Sequence, residues 1–235
     1  MKIEIWSDIA CPFCYIGKRR FETALDQFAH RDAVEVIWHS FQLDPDVQHI
    51  PGQTIYDHLA ERKGWSPAQA RETSAHVTEM ARGEGLHYDF DHLVPANTFD
   101  AHRLTHLAAP HGWQDKAEEL LFAAYFTEGK NIADPAVLGQ LGVEIGLQSS
   151  EVSQMLASEE GSAAVQADLA EAQVLGIRGV PFFVFNRQYA VSGAQASAGF
   201  LQALQQAWVV WEKENPTAVL QVANGEVCTP DGECV

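Results

Sequence analysis

Basic residues are scarce in this chain: 15 Lys and Arg stand against 32 Asp and Glu, which leaves a formal charge of -17. Nucleic-acid binding relies on clustered cations that neutralise phosphates, and anionic membrane surfaces attract the same cations. No stretch approaches the roughly 18–20 apolar residues of a membrane-spanning helix. The sequence therefore predicts neither a nucleic-acid-binding protein nor a membrane protein.

A secretory signal is also missing from the opening stretch MKIEIWSDIAC, which has no basic region followed by a long apolar run. The expected compartment is therefore the cytoplasm. Cysteine is scarce as well, with four residues in 235. In a reducing compartment a cysteine pair is more often catalytic or metal-binding than structural.

The chain is long enough for a sizeable core, in one domain with an insertion or in two domains. Alternating Ile3 and Ile5 predict a strand at 2–7. Apolar residues at helical spacing then predict a helix from about Pro12 to Ala29, and a run rich in Val, Ile and Trp predicts a second strand within 33–43. Together they form a βαβ unit with parallel strands.

The rest of the chain changes character twice. Residues 54 to about 176 carry repeated helix start and stop signals, which predict five or six helices. Strand signals return at 180–193, where a polar turn separates two short runs and predicts an antiparallel hairpin. An amphipathic helix at 194–214 follows, and the tail 215–235 is loop-like.

Two cysteines, Cys11 and Cys14, are separated by two residues in WSDIACPFCYIGKRRFE, residues 6–22. Such a pair alone is compatible with a metal-binding site, a structural disulfide or a redox centre. Structural zinc usually needs four ligands, and the other pair, Cys228 and Cys234, is distant and more widely spaced than zinc sites prefer. We therefore predict no metal site. Cys11 stands at a helix start, where the positive end of the macrodipole favours a thiolate.

The order of elements resembles the thioredoxin fold, with the cysteine pair at the first strand-to-helix junction and GVP before the third strand. The long helical insertion makes it similar to the DsbA-like branch. The stretches DIACPFCYIGKRRFE, NTFDAHRL, GIRGVPFFVF and SGAQ resemble the FrnE-like, or 2-hydroxychromene-2-carboxylate isomerase-like, members. The resemblance implies an α/β fold in which 1–53 and 177–214 form a discontinuous thioredoxin-like domain. Residues 54–176 form a helical insertion domain, and 215–235 form a tail.

Roles for individual residues follow from the same resemblance. It implies that Cys11 is the exposed nucleophile, Cys14 the buried resolving cysteine and Pro181 a cis-proline beside the pair. Val180 would meet the substrate through its backbone. Pro12 and Phe13 match the variable dipeptide that tunes the redox potential, and both are expected to contact the substrate.

Phe13 departs from DsbA proper, which has a His at that position, so the strongly oxidising character of DsbA is not carried over. The aromatic residues Trp6, Phe13 and Phe182 are expected to pack around the pair. The basic run Lys18-Arg19-Arg20 would add at most a weak, screened attraction for a thiolate.

The predicted function is a thiol–disulfide oxidoreductase that acts on protein thiols and disulfides, with no bound cofactor and with glutathione as a recycling partner. Two alternatives stay open. One is a glutathione-dependent isomerase or transferase of the kappa-class or 2-hydroxychromene-2-carboxylate type, although those commonly carry Ser at the position of Cys11. The other is a redox-regulated chaperone. Cys228 and Cys234 are expected to be a peripheral disulfide, two ordinary surface thiols or a second redox pair.

Overall fold

The computed structural model describes residues 1–216. Four strands form its sheet in the order β2-β1-β3-β4. They are Lys2–Ser7 (β1), Glu35–Ser40 (β2), Phe182–Phe185 (β3) and Tyr189–Ser192 (β4). β1 is parallel to β2 and antiparallel to β3, and β4 is antiparallel to β3. The predicted βαβ unit and the predicted hairpin are both present.

The hairpin turns within two residues, Asn186 and Arg187, whose φ angles are 48° and 58°. The amide of Gln188 donates a hydrogen bond to the carbonyl of Phe185 at 3.0 Å. Two successive left-handed residues give the turn the twist that an antiparallel hairpin needs. Asparagine tolerates this conformation better than most residues, so the polar turn predicted from the sequence is confirmed.

Two helices flank the sheet: Pro12–Asp26 (α1) and Ser197–Glu214 (α9). α1 begins where the sequence predicts but ends three residues before the expected Ala29. The chain there turns through Gln27, whose amide donates to the carbonyls of the last helical turn. The apolar spacing continues through Phe28, which is buried, although the helix has already ended.

Residues 54–176 are helical, as predicted, but the described chain contains seven α-helices there rather than five or six. The short helices α2 and α7 escape prediction because eight or nine residues carry too few turns for a clear period. The seven are Ile55–Lys63 (α2), Pro67–Gly83 (α3), Phe99–Ala108 (α4), Gln114–Phe126 (α5), Pro135–Ile145 (α6), Ser149–Leu156 (α7) and Ser162–Val174 (α8).

The predicted helix starts are confirmed in detail. The Ser66 side chain accepts a hydrogen bond from the amide of Gln69, and the Gln69 side chain accepts one from the amide of Ser66, which together form a capping box. Asp134 caps α6 by accepting from the amide of Ala136 at 2.8 Å. Local capping chemistry therefore sets these boundaries.

Apolar side chains form two main cores. One lies between the sheet and the helices α1 and α9, and it includes Ile3, Ile5, Phe183 and Phe200. The other fills the helical segment and also includes both Cys11 and Cys14. The two thiols therefore lie where the sheet meets the helices of 54–176. No helix within residues 1–216 is long and apolar enough to cross a bilayer.

Candidate thiol site

The pair Cys11 and Cys14 lies at the beginning of α1. Cys11 is the N-cap residue in an extended conformation, and Pro12 occupies the first turn, where its missing N–H has no intrahelical partner to lose. The Cys11 amide donates to the carbonyl of Asp8 at 2.9 Å, and the Cys14 amide donates to the carbonyl of Cys11 at 3.0 Å. The expectation that Cys11 stands at a helix start is confirmed.

Both cysteines are free thiols, and both are buried. Cys11 is 3% exposed and Cys14 is 1% exposed, so the expectation of an exposed Cys11 is wrong. The Cys11 sulfur lies 3.6 Å from the Val180 carbonyl, and helices of the segment 54–176 pack over it. A pattern in the sequence cannot report this cover because its residues are distant along the chain.

The surroundings of Cys14 favour its protonated form. Burial raises the pKa of the Cys14 thiol well above its ordinary value, and the neighbouring Cys11 sulfur raises it further. The backbone of Asp8 and the side chain of Ser7 oppose this effect more weakly. Cys14 is therefore held as a thiol until a proton acceptor or an electrophilic sulfur comes close.

Val180 and Pro181 lie beside the pair, and their peptide bond is cis, as the resemblance implies. Gly17, one turn after Cys14, lets α1 approach this segment. A Cβ at position 17 would lie 3.0 Å from the Pro181 ring. Gly17 was not among the site residues predicted from the sequence, although a glycine inside a helical pattern can indicate close packing.

A cavity of about 320 Å³ opens beside Cys11. Its walls come from the site itself and from the helical segment. The site residues along it are Cys11, Pro12, Phe13 and Val180, and α2 and α3 supply most of the opposite wall, including Ile55, Leu59 and Val77. The four residues that the sequence analysis assigned to the nucleophile and to substrate contacts thus share one cavity.

The aromatic residues named from the sequence separate in the structure. Phe13 lines the cavity and is 40% exposed. Trp6 and Phe182 instead belong to a separate small apolar cluster with Ile177 and Val184, which includes neither cysteine. Their expected packing around the thiols is wrong, because Trp6 points to the face of the sheet that α8 covers.

Tyrosines that the sequence reading missed surround the start of α1. The Tyr88 hydroxyl donates to the carbonyl of Pro12 at 2.7 Å. Burial, followed by the nearby Cys11 sulfur, raises the pKa of Tyr88. Tyr125 lies in the wall of the cavity. Because no motif marks these residues, only their packing in three dimensions identifies them.

Lys18, the first residue of the basic run after the pair, forms its ion pairs with carboxylates of α1 and α5. Lys18 is 2% exposed and forms ion pairs with Asp115 at 3.3 Å, Glu119 at 3.1 Å and Glu22. Burial disfavours its charge, but these carboxylates prevail, so the pKa of Lys18 is raised. Lys18 therefore stabilises the contact between α1 and α5, and the expected weak attraction for a thiolate is not its main interaction.

A second group of titratable side chains lies on the other side of β1. His39, Asp168 and Glu171 have potential metal-ligating atoms within 4.8 Å of one another. Their hydrogen bonds are already made, however: Asp168 accepts from His39 at 2.7 Å and contacts His106 at 3.0 Å. Arg187 binds Glu171 at 2.6 Å and also pairs with Glu4. We describe these six residues as the histidine cluster.

Cys228 and Cys234 lie outside the described residues. Their assignment as a second redox pair stays a prediction, as do the boundaries proposed for the domains.

The fold and the position of the pair define a thioredoxin-type protein with a C-x-x-C site at the start of its first helix. Residues 2–205 match the family model of the DSBA-like thioredoxin domain, and the chain belongs to that family. A probable DsbA oxidoreductase from Streptomyces coelicolor is 40% identical, with a TM-score of 0.83 over 100% of this chain and 98% of that chain.

Two more distant structures share the fold. The cytosolic disulfide reductase DsbM from Pseudomonas aeruginosa, solved with glutathione, is 17% identical, with a TM-score of 0.60 over 92% of this chain and 100% of that chain. A 2-hydroxychromene-2-carboxylate isomerase is 11% identical, with a TM-score of 0.63 over 93% and 100% of the two chains. At these identities the likeness is one of fold, and it includes the isomerase that the resemblance names.

Proposed function

We propose that this protein is a thiol–disulfide oxidoreductase whose redox centre is Cys11-Pro12-Phe13-Cys14. The arrangement of the pair carries this proposal. Cys11 caps α1 beside the Val180 carbonyl and lines a cavity, while Cys14 lies one turn deeper and is held as a thiol. One sulfur can thus meet a substrate, and the other can resolve the product.

The reductive cycle begins when the Cys11 thiolate attacks one sulfur of a substrate disulfide. A bond forms between Cys11 and that sulfur, and the other substrate sulfur leaves as a thiolate that takes up a proton. Cys14 then loses its proton and attacks the Cys11 sulfur, which releases the second substrate thiol. Two electrons pass to the substrate, and a Cys11–Cys14 disulfide remains. In reverse, the same steps oxidise a pair of substrate thiols.

The unequal surroundings of the two cysteines determine the order of events. The N-terminus of α1 offers unpaired N–H groups and a positive dipole to the Cys11 sulfur. Burial keeps Cys14 neutral until the mixed disulfide has formed. Cys14 then attacks only when a bonded sulfur lies within its reach, and this limits premature release of the substrate.

We propose protein thiols and disulfides as substrates, glutathione as the recycling thiol and the cytoplasm as the compartment. The name of the DsbM neighbour, a cytosolic disulfide reductase with glutathione, supports the last two assignments by analogy of fold. In a reducing compartment, the cycle would run mainly towards reduction or isomerisation of disulfides. No bound metal or organic cofactor enters the cycle.

A redox titration tests this function. The protein is equilibrated across graded glutathione buffers, quenched with acid, alkylated and examined by peptide mass spectrometry. We expect a Cys11–Cys14 disulfide that forms at a defined poise in wild type and is lost in both Cys11→Ser and Cys14→Ser. If Cys11 carries only a glutathione adduct and never pairs with Cys14, the proposal is wrong and a glutathione-dependent transferase becomes the better description.

A further inference from the structure

We infer that the cavity beside Cys11 selects disulfides of low-molecular-mass thiols that have an apolar body and a carbonyl oxygen. This inference rests on the proposed redox function and narrows its substrate class. It places small disulfides ahead of the protein thiols and disulfides proposed above, as the substrates that react fastest. Four features of the cavity support it: access to the sulfur, size, unpartnered hydrogen-bond donors and charge.

Access to the sulfur is the first feature. Cys11 is 3% exposed and Cys14 is 1% exposed, so the surface of a folded protein cannot contact either sulfur directly. The cavity provides a route to Cys11, because Cys11, Phe13 and Val180 form part of its wall. A disulfide must therefore enter the cavity to reach the nucleophile, and a slender molecule does so more readily than a folded protein.

Size and wall chemistry are the second feature. The volume of about 320 Å³ lies at the lower end of the range for small-molecule sites, which starts near 300 Å³. Aliphatic and aromatic side chains form most of the wall around the sulfur, among them Leu59, Trp65, Val77 and Phe90. An apolar ring or chain on the substrate would displace water from these surfaces and gain free energy.

Unpartnered donors are the third feature. Tyr125 lines the cavity and is 2% exposed, yet its hydroxyl makes no hydrogen bond to any described residue. Ser74, 4% exposed, also lines the cavity, and its side-chain hydroxyl makes no hydrogen bond to any described residue. Both hydroxyls open to the cavity rather than being sealed in the core, so they are free to donate to a molecule bound there. A carbonyl oxygen on the substrate would accept from them.

Charge at the cavity is the fourth feature. Two acidic groups, Asp8 and Asp44, and two basic groups, Arg62 and Lys63, line it. Arg62 is already paired with Asp44 at 2.5 Å, and the Asp8 carboxylate accepts from the amide of Leu43 at 2.7 Å. The formal charges cancel, so the cavity gives little attraction to a polyanionic thiol.

The expected reaction is one turn of the cycle above. Reduced protein passes two electrons to the disulfide RS–SR, two molecules of RSH are released, and the Cys11–Cys14 disulfide forms. No further oxidant or reductant is needed for this single turnover. Selectivity can therefore be measured from the rate at which the reduced protein is oxidised.

The experiment compares three disulfides: that of N-benzyl-2-sulfanylacetamide, glutathione disulfide and the disulfides of insulin. Reduced full-length protein is mixed with each in excess, quenched with acid, alkylated and analysed by mass spectrometry. Each rate constant is divided by that for dithiothreitol with the same disulfide, which corrects for intrinsic reactivity. We expect the normalised rate for the benzylamide to exceed both others by at least about tenfold, the factor that one good hydrogen bond supplies.

Variants test the hydroxyl and the cavity separately. Tyr125→Phe keeps the ring and removes only the donor, so the benzylamide rate should fall about tenfold while the insulin rate stays within about twofold. Tyr56→Phe is the matched control, because its hydroxyl binds Asp91 at 3.0 Å outside this cavity. Leu59→Trp narrows the cavity and should slow the benzylamide more than a small disulfide such as cystamine. Thermal melts check that each variant is folded.

The outcomes separate this inference from the proposed function. If Cys11–Cys14 disulfide forms but glutathione disulfide or insulin reacts as fast as the benzylamide, only the substrate inference is wrong. Equal slowing of all disulfides by Tyr125→Phe would also overturn it, since that marks a structural role. If no disulfide produces a Cys11–Cys14 bond, the proposed function itself is wrong.

Discussion

The thiol site and the histidine cluster lie on opposite sides of β1 and satisfy their polar groups in opposite ways. In the histidine cluster, Asp168 accepts from His39, from His106 and from the amide of Ser40 at 2.7 Å. His39 also stacks on Trp6, with 4.3 Å between the ring centroids. At the thiol site, by contrast, the Tyr125 hydroxyl has no partner among the described residues.

This difference indicates that the histidine cluster stabilises the fold, whereas the thiol site serves reactivity. The histidine cluster joins β1 and β2 to α4, α8 and the hairpin, and its groups bind one another. Breaking one contact there leaves buried groups unpaired, which costs stability. The thiol site has groups left free for a ligand and a sulfur beside a cavity, so changes there should alter reactivity more than stability. The following predictions test that contrast.

The largest effect is expected from Cys11→Ser. Replacing the sulfur with a hydroxyl removes the only nucleophile in the proposed first step, so disulfide exchange should fall to the background rate. The free energy of unfolding should change by less than about 1 kcal/mol, because the two side chains are similar in size. Insulin turbidity measures the first quantity, and urea titration measures the second. Residual activity that needs Cys14 alone would contradict the assigned order of attack.

Asp168→Ala should have the largest effect on stability. Removing this carboxylate leaves two histidines and the Ser40 amide without their partner, and breaking a buried ion pair in this way costs about 3–5 kcal/mol. Asp32→Ala is the control, because Asp32 is fully exposed and should cost less than about 0.5 kcal/mol. The redox poise of the thiol pair should be the same in both variants. A shifted poise in Asp168→Ala would show that the two regions are coupled.

The histidine cluster should also respond to pH. Burial works against its charges, but hydrogen bonds from His106, His39 and Ser40 prevail and lower the pKa of Asp168. The pKa of His39 is raised by Asp168 and Glu4, again against burial. Asp168 therefore contributes to folding stability at pH values above its ordinary pKa of 3.8. His39 contributes to folding stability at pH values below its ordinary pKa of 6.5. The stability lost in Asp168→Ala should therefore be greatest between these values and smaller in alkaline solution.

The same contrast explains how far the sequence could predict the molecule. The strand at Ile3 and Ile5, the start of α1 at Pro12 and the hairpin depend on neighbouring residues, and local patterns predicted all three. The histidine cluster instead combines residues from β1, β2, α4, α8 and the hairpin. A single histidine such as His39 has no local signal that distinguishes it from a surface residue.

The candidate site divides in the same way. The C-x-x-C spacing singled out Cys11 and Cys14, and the resemblance to the thioredoxin fold added Pro181. The burial of Cys11 and the positions of Tyr125 and Tyr88 depend on how the helices of 54–176 pack over α1, which no short motif encodes. The exposure of Cys11, like the packing of Trp6 and Phe182 around the pair, is therefore an expectation that the structure overturns.

Glu118 offers a smaller test of buried polar groups in α5. It is 2% exposed, one carboxylate oxygen has no partner among the described residues, and burial raises its pKa to about 8, with Asp115 adding to the effect. The unfolded chain releases this proton near 4.5, whereas the folded chain retains it up to about 8, so stability falls as pH rises between these values. Glu118→Gln removes this penalty and should stabilise the protein at pH 8 by about 1–4 kcal/mol.

Glu119→Gln is the matched control on the same helix. Its carboxylate pairs with Lys18 at 3.1 Å and with Arg19, and these contacts lower the pKa of Glu119 despite burial. This variant should therefore lose stability at neutral pH, and the loss should diminish as pH falls below 4.5. Chemical denaturation at pH 5 and pH 8 distinguishes the two variants. Destabilisation by Glu118→Gln at pH 8 would show that the charged carboxylate is needed.

The smallest effect is expected from the tail, whose pair Cys228 and Cys234 we propose as a second redox pair that exchanges electrons with the Cys11–Cys14 centre. Removing the chain after Glu214 should leave the first oxidation of Cys11 and Cys14 unchanged, because α9 and the site are retained. Repeated turnover with glutathione should become slower, since a relay accelerates recycling rather than the first attack. Cys228→Ser/Cys234→Ser in the full chain separates loss of the thiols from loss of the tail. Equal turnover rates in all three proteins would show that Cys228 and Cys234 have no redox role. Cys11 and Cys14 would then be the redox centre without a second pair.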